Sequence, residues 1–296
     1  MLDFRYHAIS LAAVFLALVI GILAGVGISG RGFVDDAERD SFNRRIAELD
    51  GGIEAAEERA DDLERCQEAA QVFVESAYPV LADRRLAETS VAVLVVGSVD
   101  TTLDWVERAL DRSGGDLVRM RAINVPIVSE ELDSRLQTRA GFGEYVGEDE
   151  LDNLGRDLGR ELADGEETPL WDLLTPVLVG EREGEFDVPA DAVVVIRQAE
   201  PQQGETARFL AGLYSGLAGS GEPAVGVELT RVQQSAIPAF QRSGLSTVDG
   251  IDTALGGLAL ILLLGGAEPG DYGIRDTAED GILPPIEPLP DSASGG

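Results

Sequence analysis

VAVLVV (residues 91–96) and DAVVVI (residues 191–196) are two short runs of apolar, mostly β-branched side chains, and Asp191 is their only polar residue. A strand with one face in water alternates polar and apolar residues, which these runs do not. Continuous apolar strands are typical of a parallel sheet that helices cover on both faces. The two runs therefore predict an α/β fold.

The segments around these runs repeat the pattern. Three further stretches have strand character, namely DLVRMRAINV (116–125), PAVGVEL (223–229) and LSTVD (245–249), and helical stretches separate them. We therefore predict a doubly wound, mostly parallel α/β domain of about five strands over residues 89–269. The apolar run TALGGLALILLLGG (253–266) is too short to cross a bilayer, so we expect a helix that covers the sheet.

The loops that follow the predicted strands are the candidate binding sites, because open α/β sheets usually bind ligands at the carboxyl ends of their strands. None of these loops contains G-x-G-x-x-G, and a chain without lysine cannot form a G-x-x-x-x-G-K-[ST] phosphate loop. The loop residues available to contact a ligand are Gly97, Ser98, Asp100, Arg197, Gln198, Glu228, Thr230 and Arg231.

A long uncharged stretch, HAISLAAVFLALVIGILAGVGISG (residues 7–30), follows a short N-terminal tail of residues 1–6. It exceeds the ~20 residues that cross the hydrocarbon core of a bilayer. A cleaved signal peptide or a buried core helix would usually be shorter, so we predict a membrane anchor that is retained. Arg5 precedes the stretch and several acidic residues follow it, which favours a location of the remaining chain outside the cytoplasm.

Small residues recur at every fourth position of this stretch, and such a stripe allows two membrane helices to pack closely. The stripe consists of Ala13, Ala17, Gly21, Gly25 and Ser29.

Residues 33–88 follow with apolar or small residues spaced alternately by four and three, as in a coiled coil. We predict one long helix that forms a homodimer or a higher homo-oligomer together with the anchor. A hairpin that turns at Gly51–Gly52 is the alternative, and Pro79 is expected to bend or end the helix. After the α/β domain, residues 270–296 are rich in Pro, Gly, Asp and Ser, which predicts a disordered acidic tail.

The composition limits the chemistry available to the chain. There are 54 acidic and 23 basic residues, and a net charge of -31 makes nucleic acid an unfavourable partner. The only histidine, His7, lies at the membrane segment, so a Ser-His-Asp or Cys-His centre in the α/β domain is excluded and we expect no enzyme. Cys66 is the only cysteine. It flanks a seam position of the long helix, where two copies would form an inter-chain disulfide or a two-thiolate metal site.

Three parts of the chain resemble the actinobacterial MctB family: RYHAISLAAVFLALVIGILAG (5–25), the heptad helix after it, and STVDGIDT (246–253) with the apolar helix and DYGIRDTAED (271–280) behind it. The resemblance implies an envelope protein linked to copper efflux or copper homeostasis, in or near the outer membrane in mycobacteria. It implies copper as the metal and other envelope proteins as partners, and it transfers no ligand residue. The alternative is an anchored scaffold or sensor whose α/β domain binds a partner or a small solute.

Overall fold

The computed structural model describes residues 4–29, 33–165, 168–186 and 188–288. The chain divides into two units, residues 1–70 and residues 71–296, which are described separately.

The first unit begins with helix α1 (Phe4–Ser29). Its stretch Ile9–Gly27 is long and apolar enough to cross a membrane, and none of it is buried in the protein. The 19 residues of that stretch span about 28 Å at the rise of an α-helix, close to the thickness of a bilayer core. The predicted apolar N-terminal helix is thus confirmed.

The small-residue stripe lies along α1. Gly21 and Gly25 have open space around them, because no atom lies within 4 Å of the point that a Cβ would occupy at either residue. Ser29 ends the helix, and its side chain lies outside the described part of the chain.

Helix α2 (Phe33–Ala82) is continuous over 50 residues. It passes through Gly51–Gly52 without a turn, so the alternative of a hairpin is wrong, and it continues through Pro79 before it ends at Ala82. The large apolar residues of the heptad seam are exposed in the single chain, namely Phe42, Ile46, Leu49, Ile53 and Leu63. Self-association through this seam stays a prediction.

The second unit contains a sheet of seven strands. Five of them are the predicted strands, and they pair in parallel: β1 (Ser90–Val96), β2 (Asp116–Ile123), β4 (Ala192–Arg197), β5 (Ala224–Glu228) and β6 (Ser246–Asp249). Every residue of β5, and every residue of β1 after Ser90, is buried. Burial on both faces explains why these strands are continuously apolar.

Two strands were missed, so the prediction of about five strands is wrong. Strand β3 (Val179–Gly184) pairs antiparallel with β2 at one edge of the sheet. The strand is largely exposed, so its charged sequence VGEREG lacks the apolar pattern of the central strands. Strand β7 (Asp271–Tyr272) has only two residues, too few to produce a recognisable pattern.

The disordered tail was predicted to start too early. Strand β7 pairs with β6, Tyr272 is buried in the core, and the backbone N–H of Gly273 donates to the carbonyl of Gly281. The segment is ordered because it is hydrogen-bonded to the sheet, although its composition is typical of disordered chains. Residues 289–296 lie outside the described residues.

Helices cover both faces of the sheet, as the apolar strands predicted. One face packs against α4 (Ser129–Leu136), α5 (Leu151–Asp164), α6 (Pro169–Leu178), α7 (Gly204–Ala218) and α8 (Ile237–Arg242). The other face packs against the end of α2, α3 (Thr101–Ser113) and α9 (Ala254–Leu264). The last of these is the predicted covering helix, and all its residues from Gly256 onward are buried.

Helices α5 and α7 are in backbone contact through glycines spaced by four residues on each helix. A Cβ at Gly155 or Gly159 of α5 would overlap the carbonyl oxygens of Phe209 and Leu213. A Cβ at Gly212 or Gly216 of α7 would overlap backbone atoms of α5 in the same way. The close approach therefore requires glycine on both helices, and any side chain would separate them.

We predict that Gly155→Ala destabilises the full-length protein in detergent by about 1–3 kcal/mol, because the added methyl group cannot be accommodated without moving a helix. The measurement is chemical unfolding followed by circular dichroism. The control is Gly51→Ala in α2, where no atom lies within 4 Å of the new Cβ. Equal stability of Gly155→Ala and the unmodified protein would show that the two helices are not in contact.

Candidate functional site at the carboxyl edge of the sheet

The strand order identifies the part of the sheet where a ligand would be expected. Strands β1 and β4 are neighbours, with β2 and β3 on one side and β5 to β7 on the other. The direction in which the chain adds strands reverses between β1 and β4, and doubly wound proteins usually bind ligands at that point.

Backbone atoms fill the position between the ends of β1 and β4. The backbone N–H groups of Gln198 and Ala199 donate to the carbonyl of Val96 at 2.9 and 3.1 Å. Gly97 has a φ of +103°, and a Cβ there would lie 2.9 Å from the nitrogen of Ala199. The loops after β1 and β4 thus bond directly to each other at this position.

The predicted ligand residues of these two loops have structural roles. Asp100 caps helix α3 by accepting a hydrogen bond from the backbone N–H of Thr102 at 2.8 Å. Gln198 donates from Nε2 to the hydroxyl of Thr102 at 2.6 Å. Ser98 is exposed at this edge.

The end of β5 holds a buried ion pair. Glu228 is 4% exposed, and its Oε1 lies 2.5 Å from Nη1 of Arg275, which follows β7. The carboxylate also accepts hydrogen bonds from the Ser235 hydroxyl and, at 2.8 Å, from the backbone N–H of Ala236. A buried carboxylate is costly unless it is paired and hydrogen-bonded, and Glu228 satisfies both conditions.

Arg275 joins the loop after β5 to the segment after β7. Its Nη2 donates to the backbone carbonyls of Leu229 and Thr230, while Nη1 contacts Glu228. One guanidinium group therefore crosslinks two loops that are far apart in the sequence.

Two further carboxylates fix the same loops. Asp249, at the end of β6, accepts hydrogen bonds from the backbone N–H groups of Ile274 and Arg275 at 2.8 and 3.2 Å. Oδ1 of Asp252 accepts from both the backbone N–H and the hydroxyl of Thr230, at 2.6 and 2.8 Å. These acidic groups orient the backbone and are not arranged around a shared space.

Arg197, the last residue of β4, binds backbone carbonyls and no carboxylate among the described residues. Its Nη2 donates to the backbone carbonyls of Ser235 at 2.8 Å and Gln234 at 3.4 Å, and its buried Nε makes no hydrogen bond. The neighbouring Tyr214 hydroxyl is also buried without a partner. Burial raises the pKa of this phenol, and the positive charge of Arg197 opposes that effect.

The structure thus brings the predicted residues of neighbouring loops together, but most of them bind other residues of the domain and hold the loops in place. Arg197 and Glu228 both contact Ser235, whereas Arg231 is exposed. Sequence reasoning missed Ser235, Asp249 and Arg275. The last two lie in STVDGIDT and DYGIRDTAED, the C-terminal stretches that carry the family resemblance, and that was the signal available for them.

A multidentate copper site is not assembled by the residues that the structure describes. They contain no group of three His, Cys, Asp or Glu side chains that could hold a metal ion. Cys66 is exposed on α2, and Met120, a residue of β2, is buried in the core. The side chain of His7 lies outside the described part of the chain.

These features define a mixed α/β protein that carries an N-terminal apolar helix and in which the loops after β1 and β4 bond to each other. Residues 1–283 match the family model described as "Copper transport outer membrane protein, MctB", and the chain belongs to this family. The family description and the apolar helix α1 fit attachment to a membrane.

Curated relatives extend this similarity to nearly the whole chain. Proteins named "Copper transporter MctB" from Mycobacterium bovis and from two strains of Mycobacterium tuberculosis are each 25% identical to it over 312 residues. Each alignment covers 92% of this chain and 96% of the relative. The family is thus described by transport, not by catalysis.

We predict that Arg275→Ala lowers the free energy of unfolding by about 3 kcal/mol, because it leaves the Glu228 carboxylate buried without a cation. The value is at the low end for buried pairs, since the Arg275 side chain is 27% exposed. Urea unfolding of the full-length protein in detergent measures the change. Arg231→Ala, which alters an exposed arginine of the same edge, is expected to change stability by less than ~0.5 kcal/mol. Similar small effects of both variants would show that the ion pair does not hold this edge together.

Proposed function

We propose that this protein is a membrane-anchored component of the cell envelope that contributes to copper efflux and keeps cellular copper low. The observation that supports this most strongly is the match of residues 1–283 to a family of copper transport proteins. The relatives named for copper transport cover the same length, so the proposal applies to the whole chain and not to one domain.

The anchor in this proposal is α1, retained in the mature protein, with the remaining chain outside the cytoplasm. Its apolar stretch has the length of a membrane span. Arg5 on the short N-terminal side favours the cytoplasm for that end. The family description supports the outer membrane as the location in bacteria that have one.

Oligomerisation is the second element of the proposal. The exposed seam of α2 would bury its apolar residues against a second copy, and the small-residue stripe of α1 would allow the anchors to approach closely. A helix with one anchor cannot enclose an aqueous path by itself, so transport would require several copies or other envelope proteins.

Copper contact is assigned to Cys66. Copper(I) prefers thiolate and thioether ligands, and Cys66 is the only cysteine of the chain. It is exposed on α2, beside the seam, so a parallel dimer would bring two thiols to the same level of the helix pair. Two thiolates from two copies would then replace the cluster that a single chain does not provide in its described residues.

A non-catalytic scaffold or solute-binding protein of the envelope is the second candidate. It is favoured by the bonds that join the loops after β1 and β4, where Asp100 and Gln198 both bind Thr102 and the N–H of Gln198 donates to Val96. Both candidates are non-enzymatic, and a copper phenotype separates them.

We predict that a strain lacking this gene accumulates copper under copper challenge and that the intact gene restores the lower level. Total cellular copper measured by elemental mass spectrometry tests this. Iron and zinc in the same samples are the control for general envelope damage, and their levels are expected to stay unchanged. Copper that does not change on deletion would contradict the efflux role and favour the scaffold.

The contribution of Cys66 is tested in the same strain by complementation with Cys66→Ala. A direct thiol ligand predicts no rescue of the copper level, although the protein is expressed and reaches the membrane. Full rescue by Cys66→Ala would exclude the thiol and leave the efflux role itself untouched.

We further predict that mild oxidation links two copies of the full-length protein through Cys66. Non-reducing gel electrophoresis of membranes would show a dimer that disappears with reductant and is absent in Cys66→Ser. Substituting both Ile46 and Leu49 of the seam by Glu is expected to reduce the yield of dimer, since like charges would then face each other. Cross-linking that the seam substitutions leave unchanged would contradict the coiled coil.

A further inference from the structure

A cavity of about 390 Å³ lies between α7 and α8 at the carboxyl end of β4. Its volume falls in the range of small-molecule sites, which are typically about 300–1,000 Å³. The residues that determine its chemistry are Arg197 from β4, Leu210, Tyr214 and Ser215 from α7, and Arg242 from α8.

The charge of the cavity is opposite to that of the protein. Two arginines and no acidic residue line it, whereas the whole chain has 54 acidic and 23 basic residues. Among the described residues, neither Arg197 nor Arg242 lies within 4 Å of a carboxylate. Their hydrogen bonds go to backbone carbonyls: Arg242 donates from Nε to Pro238, and Arg197 donates to Gln234 and Ser235. Neither guanidinium group is therefore paired with a carboxylate of the described residues.

Two buried donors at the cavity lack partners within the protein. Tyr214 is 2% exposed, and its hydroxyl makes no hydrogen bond in the described structure. Nε of Arg197 is buried and unpaired as well. Leaving a buried polar group unsatisfied costs about 1–3 kcal/mol, so an acceptor supplied from outside would recover part of this cost.

The remaining wall of the cavity is apolar. Leu210, Ala207 and Ala211 of α7 face Ala239 of α8 across it. The rings of Tyr214 and Phe240 form a T-shaped contact with centroids 5.0 Å apart, which holds the phenol in place. A ligand that fits this wall needs an apolar part beside its negative charge, which inorganic anions do not have.

We propose that this cavity binds a small organic carboxylate. Arg197 and Arg242 attract and hold the carboxylate, Tyr214 donates a hydrogen bond to it, and the side chains of Leu210 and the alanines contact its apolar part. The site is independent of copper. The cavity would provide the α/β domain with a ligand site beside the loops after β1 and β4, which bond to each other.

The test uses benzoate as the probe and the full-length protein in a non-ionic detergent, with binding measured by saturation-transfer NMR titration. Benzyl alcohol, which has the same ring without the charge, is the matched ligand control. Benzoate is expected to bind and benzyl alcohol not to bind. Equal binding of both ligands would overturn the proposal, because the arginines would then have no effect.

Three variants locate the binding. Removal of a charge-assisted hydrogen bond in Arg242→Gln is expected to weaken benzoate binding about tenfold, and loss of the hydroxyl in Tyr214→Phe about fivefold. Tyr214→Phe removes an unpaired group and preserves the ring, so the domain should remain folded. Arg59→Gln changes an exposed arginine of α2 that does not line the cavity and should bind benzoate as the unmodified protein does.

Benzoate binding that is unchanged in both Arg242→Gln and Tyr214→Phe would place the ligand elsewhere and overturn the proposal. Absence of benzoate binding by the unmodified protein would overturn it as well. So would tight binding of inorganic phosphate without binding of benzoate, since the apolar wall would then have no part in recognition.

Discussion

Burial of the central strands on both faces is the constraint on which the rest of the domain depends. Strands β1, β4 and β5 lie between two layers of helices, and their side chains are almost completely removed from water. Polar groups at the ends of such strands must find partners within the protein, because water reaches them poorly. The pair of Glu228 and Arg275 follows directly from this constraint, as do the carboxylates that fix the surrounding loops.

The same constraint explains which parts of the fold could be predicted from the sequence. Strands β1 and β4 were recognisable because two-sided burial leaves continuous apolar runs, and α9 because it is apolar along its whole length. Strand β3 is an exposed antiparallel edge whose sequence VGEREG resembles a loop, and β7 is too short to have a period. The glycine contact between α5 and α7 was missed because glycine spacing within one helix does not reveal the partner helix.

The edge of the sheet on which the candidate residues lie could be predicted, but their contacts could not, and binding of a ligand by them stays a prediction. The loops after β1, β4 and β5 do meet at one edge, as parallel strands require. A single sequence does not show that Asp100 caps a helix or that Glu228 pairs with Arg275, since the partner of Glu228 is 47 residues away. The cavity beside Arg197 was invisible for the same reason, because α7 and α8 contribute its wall from separate segments.

The α/β domain and helix α2 offer different groups for binding. The domain contains a cationic cavity and loops after β1 and β4 that bond to each other, whereas the exposed cysteine and the exposed apolar seam belong to α2. The proposed role in copper efflux would therefore rest on assembly through the helices, which is itself a proposal.

The rate of copper loss tests this account most directly, since total copper alone does not separate slower entry from faster exit. Cells loaded with copper would be transferred to copper-free medium, and the metal remaining in them followed over time. The account predicts slower loss in the strain without the gene and a normal rate after its return, with equal uptake in both strains. Equal rates of loss with and without the gene would contradict it.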